Sequence, residues 1–541
     1  MANVPTAEQR RPSVRNILGA IGLIMAFASP AAMAQDGATA LELQPDSLVN
    51  FTTGNLLRKG TFTLRGGTHQ THPWIDTPGT GNQIYHAGAD FAPIDGLQLG
   101  VRYMNFVDPP PFPIAGIRPN SKVSGGGVSA KVRLYDNGRL RIAGQVAGEL
   151  MKFDSPIFGK SSTEHLFIAS AQMPLTYDIT PTLQAHLTPS VALFPASRGG
   201  NPFYGTLASV GAGLTWKPTD RLLVFGTVTQ PVIGSNTILA DGSFGKRPVI
   251  TFGTRYGFAP NSAVELFVTN GFGTTASTGA LTFFPDGDIV MIGAMLTHSF
   301  GRGTPKKGPY GRAPDRTLGA DQKAMTGEGF TMLGPRTHER GTAVLTAHAG
   351  TQGARAASII LAPDHFLELG ANIDQLADDG SGASAKLPSS ADRWAGTFKL
   401  QLMEQFDNAP VSATFFAAFG RDRNLNGTLF VALPLMREVT PKLAIKAEPK
   451  LAIYGNNEEL GLGIGATYAL TPDIRLIGEY TLRNSGDHIW AVGGKARVPG
   501  APIEVGLHAT NAIGAFGVNA MTSQSDPKVV LSVAVNSKLF R

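Results

Sequence analysis

The chain is predicted to be all-β: antiparallel transmembrane β-barrels in tandem duplication, two barrels of about 12 strands each, with one barrel of about 24 strands as the alternative. Three observations predict it. Apolar and polar residues alternate with a period of two in segments of about 9–14 residues, which is the strand period and not the helical one. The connections between these segments are alternately tight and long. One stretch is also written twice: Met173 to Phe194 (MPLTYDITPTLQAHLTPSVALF) returns as Leu433 to Tyr454 (LPLMREVTPKLAIKAEPKLAIY), and a repeat changes what counts as a domain.

The echo extends in both directions. Ser209 to Asp220 matches Gly461 to Asp473, FVTNGFG (Phe267 to Gly273) matches HATNAIG (His508 to Gly514), and KGTFTL (Lys59 to Leu64) matches RGTAVL (Arg340 to Leu345). The division that follows is a signal peptide at 1–34, a periplasmic lead-in at 35–58, a first repeat at 59–301, a Gly/Pro-rich basic linker at 302–339 and a second repeat at 340–541. Arg10, Arg11 and Arg15 precede a short apolar run, Ile17 to Ala28, and the small-residue site Ala32-Met33-Ala34, so cleavage is expected before Gln35.

Strands of the first repeat are expected near 60–70, 82–93, 97–107, 121–134, 139–152, 164–177, 182–194, 204–216, 222–233, 247–258, 262–272 and 288–300, with a parallel set from 341 to 540. Turn chemistry separates them. PIDG, YDNG, DITP, KPTD and FAPN are tight, because Pro fixes φ and Gly, Asn and Asp tolerate positive φ. Stretches such as 108–120 and 235–247 are long. Short turns on one side and long loops on the other are the pattern of an outer-membrane barrel, which places the long loops outside the cell and both termini in the periplasm. The lead-in and linker contain too little material for the folded plug that a single wide barrel would need, and each repeat ends in its own aromatic-closed strand, at Phe300 and Phe540. Two barrels are therefore preferred, the first closing between the strand that starts at Gly60 and the strand that ends at Phe300.

Composition limits function. Charged residues are 16%, the net charge is +6 and there is no Cys, so neither a disulfide scaffold nor a nucleic-acid-binding surface is indicated. No Walker loop, GxSxG elbow or HExxH pair appears. His508 with Glu504, and His298, lie on strands without a positioned nucleophile. His69, His72 and His86 cluster near Asp90 without a metal-ligand spacing. No enzyme activity, cofactor or metal is expected.

The chemistry is read instead from the strand faces. Lumen-lining candidates are Arg102, Glu265, Lys446, Glu448, Lys450, Arg475, Glu479, Arg483, Glu504 and His508, since a Lys or Arg on the lipid face costs about 2–4 kcal/mol at mid-depth. Trp216, Tyr468, Phe300 and Phe540 are candidates for an aromatic girdle. Gly211 and Gly213 match Gly463 and Gly465 as an inward glycine row, read as bent strand with lumen space as a consequence.

The signal segment, the loop pattern and the last strand, Val529 to Arg541 with its penultimate Phe540, resemble bacterial outer-membrane β-barrels of the porin-like kind. By architecture the duplication is also similar to the tandem barrels of exopolysaccharide secretion, the YjbH and GfcD type, whose lipoprotein members differ from this chain in having an N-terminal Cys. The resemblance implies outer-membrane lipid, the barrel assembly machinery and a polar solute or polysaccharide as partners, in the outer membrane of a Gram-negative-type bacterium reached by the secretory pathway. It implies a pore or export channel. The alternatives are a structural or assembly protein with closed, ion-paired barrels, and an envelope hydrolase.

Overall fold

A computed structural model describes residues 45–72, 81–158, 164–218, 222–259, 262–300, 327–375, 393–405, 409–422 and 426–539. The signal segment, the first part of the linker and Phe540 lie outside these residues.

Two closed antiparallel barrels of twelve strands account for nearly all the regular structure. The first runs through Phe62–Thr71, Ile84–Ile94, Leu97–Asp108, Ser121–Asp136, Leu140–Asp154, Leu166–Gln172 with Leu175–Thr180, Leu183–Leu193, Thr206–Trp216, Leu222–Ile233, Val249–Ala259, Ser262–Thr269 and Met291–Phe300. All twelve expected strands are present, with ends shifted by a few residues. The ladder that closes this barrel pairs Phe300 with Phe62 and Ser299 with Thr63, whose hydroxyls are 2.9 Å apart. The second barrel closes between Thr342–Gly350 and Ser523–Lys538. The single large barrel is thereby excluded.

The two barrels share irregularities as well as strands. Each sixth strand is broken at a proline, Pro174 or Pro434, because proline brings no N–H to the ladder. The residue before each proline donates to a proline carbonyl on the next strand, Met173 to Pro189 at 3.0 Å and Leu433 to Pro449 at 2.9 Å. The repeated Thr-Asn pair is also structural. Thr269 and Thr510 accept the N–H two residues ahead, from Gly271 at 2.9 Å and Ala512 at 3.0 Å. Asn270 and Asn511 accept from Ile250 and Trp490 on the neighbouring strand, at 2.7 and 2.8 Å. In both barrels this pair starts a loop that folds back into the lumen through a short 3-10 turn, Thr278–Ala280 or Gly517–Met521.

The strand faces are inverted relative to a water-soluble protein. Along Ile474–Arg483, the inward Arg475, Ile477, Glu479, Thr481 and Arg483 are buried, while the outward Ile474, Leu476, Tyr480 and Leu482 are exposed. Leu99, Val101 and Tyr103 of the first barrel are exposed in the same way. A continuous apolar exterior of this extent is unfavourable in water and suits a lipid surround.

The barrels touch side by side. Val264 of the first packs with Phe366, Leu367 and Leu400 of the second. At the long-loop end, Arg421 forms a two-pronged ion pair with Asp108 and donates to Gln83 at 2.9 Å.

Candidate functional site

The lumens hold the polar chemistry, and each is occupied by the segment that precedes its own first strand. Phe51 and Met332 both stand nine residues before the glycine that opens that strand, Gly60 or Gly341. These two glycines have φ of +76° and +79°, and their N–H groups donate to Ala92 and Ala362 at 2.7 and 2.8 Å. The repeated unit is therefore an internal plug followed by a barrel.

The inward glycine row is the seat of that plug. A side chain on Gly211 would lie 2.6 Å from the Phe51 ring, and one on Gly463 would lie 3.2 Å from Met332. The glycines clear space for an apolar plug residue at the same strand in both barrels, a more specific role than the bent strand expected from sequence.

In the first barrel the plug spans 45–58. Asp46 pairs with Arg65, and its second carboxylate oxygen accepts from Gln98 at 2.8 Å. Lys131 donates to the carbonyls of Asp46 and Asn55 at 2.9 and 2.6 Å. Burial alone would raise the Asp46 carboxyl, but Arg65 and Lys131 outweigh it and hold the group well below its usual range. Above the plug lies a polar chamber. Its roof is the in-folded loop, tied down by Thr275 and Ser277, whose hydroxyls donate to Glu149 at 2.6 and 2.7 Å. Beyond the roof, the long loops converge on a buried aromatic cap that includes Phe106, Phe153, Phe158, Phe203, Phe272 and Phe284.

In the second barrel the plug is the end of the segment read as linker, 327–338. Here the wall carboxylates take the plug's backbone. Glu479 accepts the N–H groups of Phe330, Thr331 and Met332 at 2.7–3.2 Å, and Glu448 accepts that of Leu333 at 2.6 Å. Wall ammonium groups take the carbonyls: Lys446 on Gly327 at 3.1 Å, Lys450 on Thr331 at 3.1 Å and Lys495 on Glu328 at 2.9 Å. Phe330 stacks on His508 with ring centroids 4.1 Å apart. Both signs are needed on the wall because a plug backbone offers donors and acceptors alike, and an unpartnered buried charge is costly.

Of the sequence candidates, Lys446, Glu448, Lys450, Glu479 and His508 thus converge on this plug. Arg475 pairs with Glu504 at 2.8 Å, Arg483 pairs with Glu459, and Glu265 pairs with Arg255. Arg102 reaches Asp90 at 2.9 Å in the first barrel's chamber. Trp216 and Tyr468 are exposed on the outer faces at the tight-turn end. His69 and His86 stand inside the first barrel with ring centroids 5.5 Å apart, and Asp90 is taken by Arg65 and Arg102. His298 meets Ser262 at 2.7 Å, where Ser262 is fully buried.

Sequence reasoning missed the two plugs. Their signal was a few apolar residues, Phe51 in the lead-in and Phe330, Met332 and Leu333 in the linker, inside otherwise polar, Gly/Pro-rich stretches.

No protein-family model and no curated protein matches the chain. Among solved structures it is similar to the KdgM porin, at 8% identity over 44% of this chain and 99% of that one, with a TM-score of 0.29. It is similar to the NanC porin at 9% identity over 44% and 98%, TM-score 0.28. It is also similar to LpxR from Salmonella typhimurium at 11% identity over 44% and 99%, TM-score 0.27. At such identities and scores none of them carries a residue's role to this chain.

Proposed function

We propose that the chain is a non-enzymatic outer-membrane protein of a Gram-negative-type bacterium, whose first barrel passes a small polar solute when its plug shifts and whose second barrel is a closed brace. The apolar exterior supports lipid as the surround, and the last strand is the part the barrel assembly machinery would read. One observation carries the division of labour. The first lumen keeps a polar chamber between plug and roof, whereas Lys446, Glu448, Lys450 and Glu479 of the second lumen are spent on its plug. Export of a polysaccharide is the second reading; it is favoured by the tandem architecture and needs plug and aromatic cap to move together. A hydrolase is disfavoured by the burial of Ser262 beside His298, which leaves a substrate no approach.

Planar-bilayer recording tests this. The chain has no Cys, so each plug can be locked separately. Asn55→Cys with Gln184→Cys joins residues whose side chains are 3.5 Å apart in the first barrel. Thr337→Cys with Gln401→Cys joins residues 3.3 Å apart in the second. Openings of the wild type should vanish on oxidising the first pair and persist on oxidising the second. Openings that survive the first lock defeat the passage, and a wild type that never opens leaves the closed-barrel reading.

A further inference from the structure

The chamber of the first barrel contains polar groups that the protein itself leaves unused. Both ring nitrogens of His86 and Oε1 of Gln172 are buried and have no hydrogen-bond partner among the described residues, and both residues line the chamber. His86 is 95% buried. Buried polar atoms are normally satisfied, so a cluster of orphans on one void marks a place where something else supplies the bonds. The orphan set is mixed. The Gln172 oxygen can only accept, and a neutral imidazole donates at one nitrogen and accepts at the other. A hydroxyl group, both donor and acceptor, matches such a set; a carboxylate or an ammonium matches half of it.

The charges point the same way. The chamber is lined by three cations, Arg65, Arg102 and Lys131, and three carboxylates, Asp46, Asp90 and Glu149. Each is already engaged. Arg65 and Arg102 share Asp90 at 3.3 and 2.9 Å, Lys131 is spent on backbone carbonyls of the plug, and Glu149 is held by Thr275 and Ser277. A charged solute entering this void would lose its hydration without meeting a free counter-charge, which is costly. An uncharged one would not.

We infer that this chamber is a binding site for a small uncharged, polyhydroxylated solute. The inference rests on the passage reading, of which it names the solute class. The plug forms the floor of the site through Asn50 and Phe51, so occupancy and plug position are linked: a solute that binds the plugged form holds it shut.

The test is calorimetric titration of the purified full chain in detergent with maltose, glucuronate and glucosamine as probes. Maltose should bind at least tenfold tighter than either charged sugar. Gln172→Leu and His86→Phe should each weaken maltose at least tenfold while the protein keeps its heat-resistant folded mobility. The oxidised second-plug lock, Thr337→Cys with Gln401→Cys, should bind as wild type. No maltose binding, equal binding of a charged sugar, or unchanged binding in both variants would overturn the inference and leave ordered water alone as the occupant of the chamber. The wild-type ranking of the three sugars stands even if a variant fails to fold. Maltose binding without bilayer openings would keep this site and sink the passage; openings without maltose binding would do the reverse.

Discussion

The two barrels close the same way and hold the closure differently. In the first, a plug side chain, Asp46, reaches the wall arginine Arg65, a chamber remains above it, and long loops finish the seal with a packed aromatic cap. In the second, the described loops are shorter, with the connection 376–392 outside the described residues, and a smaller cluster around Phe416, Phe430 and Met521 lies at the in-folded loop. Both walls put cations on plug carbonyls, Lys131 in the first and Lys446 and Lys450 in the second, and the second adds glutamates on the plug's N–H groups. In the second barrel buried charge does the work of closure that the aromatic cap does in the first. The difference also explains why the second repeat shows dense alternating charges in its sequence and the first does not.

Removing that charge should give the largest effect. Glu479→Ala strips the partner from three plug N–H groups and leaves Lys446 with one counter-charge fewer, a loss of about 3–5 kcal/mol by the usual cost of breaking a buried pair. Asn55→Ala in the first plug, which removes two neutral side-chain bonds, should cost only about 1–3 kcal/mol. The temperature at which the folded band is lost on electrophoresis measures both. Equal shifts would show that charge does not carry the second closure.

The shared Thr-Asn pair should instead respond alike in both barrels. Asn270→Ala and Asn511→Ala each leave a strand N–H and a strand carbonyl without their partner, at about 1–3 kcal/mol each. Asn270 also donates to Gly287 at 2.7 Å, so any asymmetry should run toward the first barrel. A larger loss in the second would break the equivalence.

pH should separate the plugs. Burial works to raise Glu328, and the Lys399 ammonium outweighs it, holding the carboxyl down to about 2 from 4.5. A depressed acid stabilises the plugged state above its unfolded value, so this contribution is whole above pH 4.5 and is lost as the pH falls toward 2. Burial works to lower His338, and Glu368 outweighs it, so its pKa is raised. That contribution is whole below 6.5 and is lost as the pH rises through the raised value. The second plug should therefore sit tightest between pH 4.5 and 6.5. The first, held by Asp46, has no histidine pair to lose in alkali. Maleimide labelling of Leu333→Cys, normalised to Thr52→Cys in the first plug, should rise from pH 6 to pH 9. A flat ratio would remove His338 from the closure.

The smallest effect concerns the glycine seats. Gly211→Ala drives a methyl to within 2.6 Å of a rigid Phe51 ring, and Gly463→Ala meets a flexible Met332 at 3.2 Å. Overpacking should cost about 1–3 kcal/mol in the first case and under about 1 kcal/mol in the second. The same melting measurement reads it, and a reversed order would show that the plugs do not rest on these glycines.

Sequence alone determined what is local and periodic. Strand period, Pro- and Gly-marked turns and the twice-written segment located all twelve strands of the first barrel and the positions where charge faces inward, because each of those signals acts over a few residues. The two-barrel closure is preferred from the aromatic-ended strands and the lack of material for a wide barrel's plug, and the structure bears it out; tertiary structure alone decided the plugs and the registers. The register in which Phe62 meets Phe300, or Thr342 meets Lys538, is a pairing across hundreds of residues with no local signature. The segment 327–338 reads as a linker because its hydrogen bonds go to Glu448 and Glu479, more than 100 residues away. A backbone whose partners are supplied by a distant wall carries no periodicity of its own, and only the closed barrel brings those partners to it.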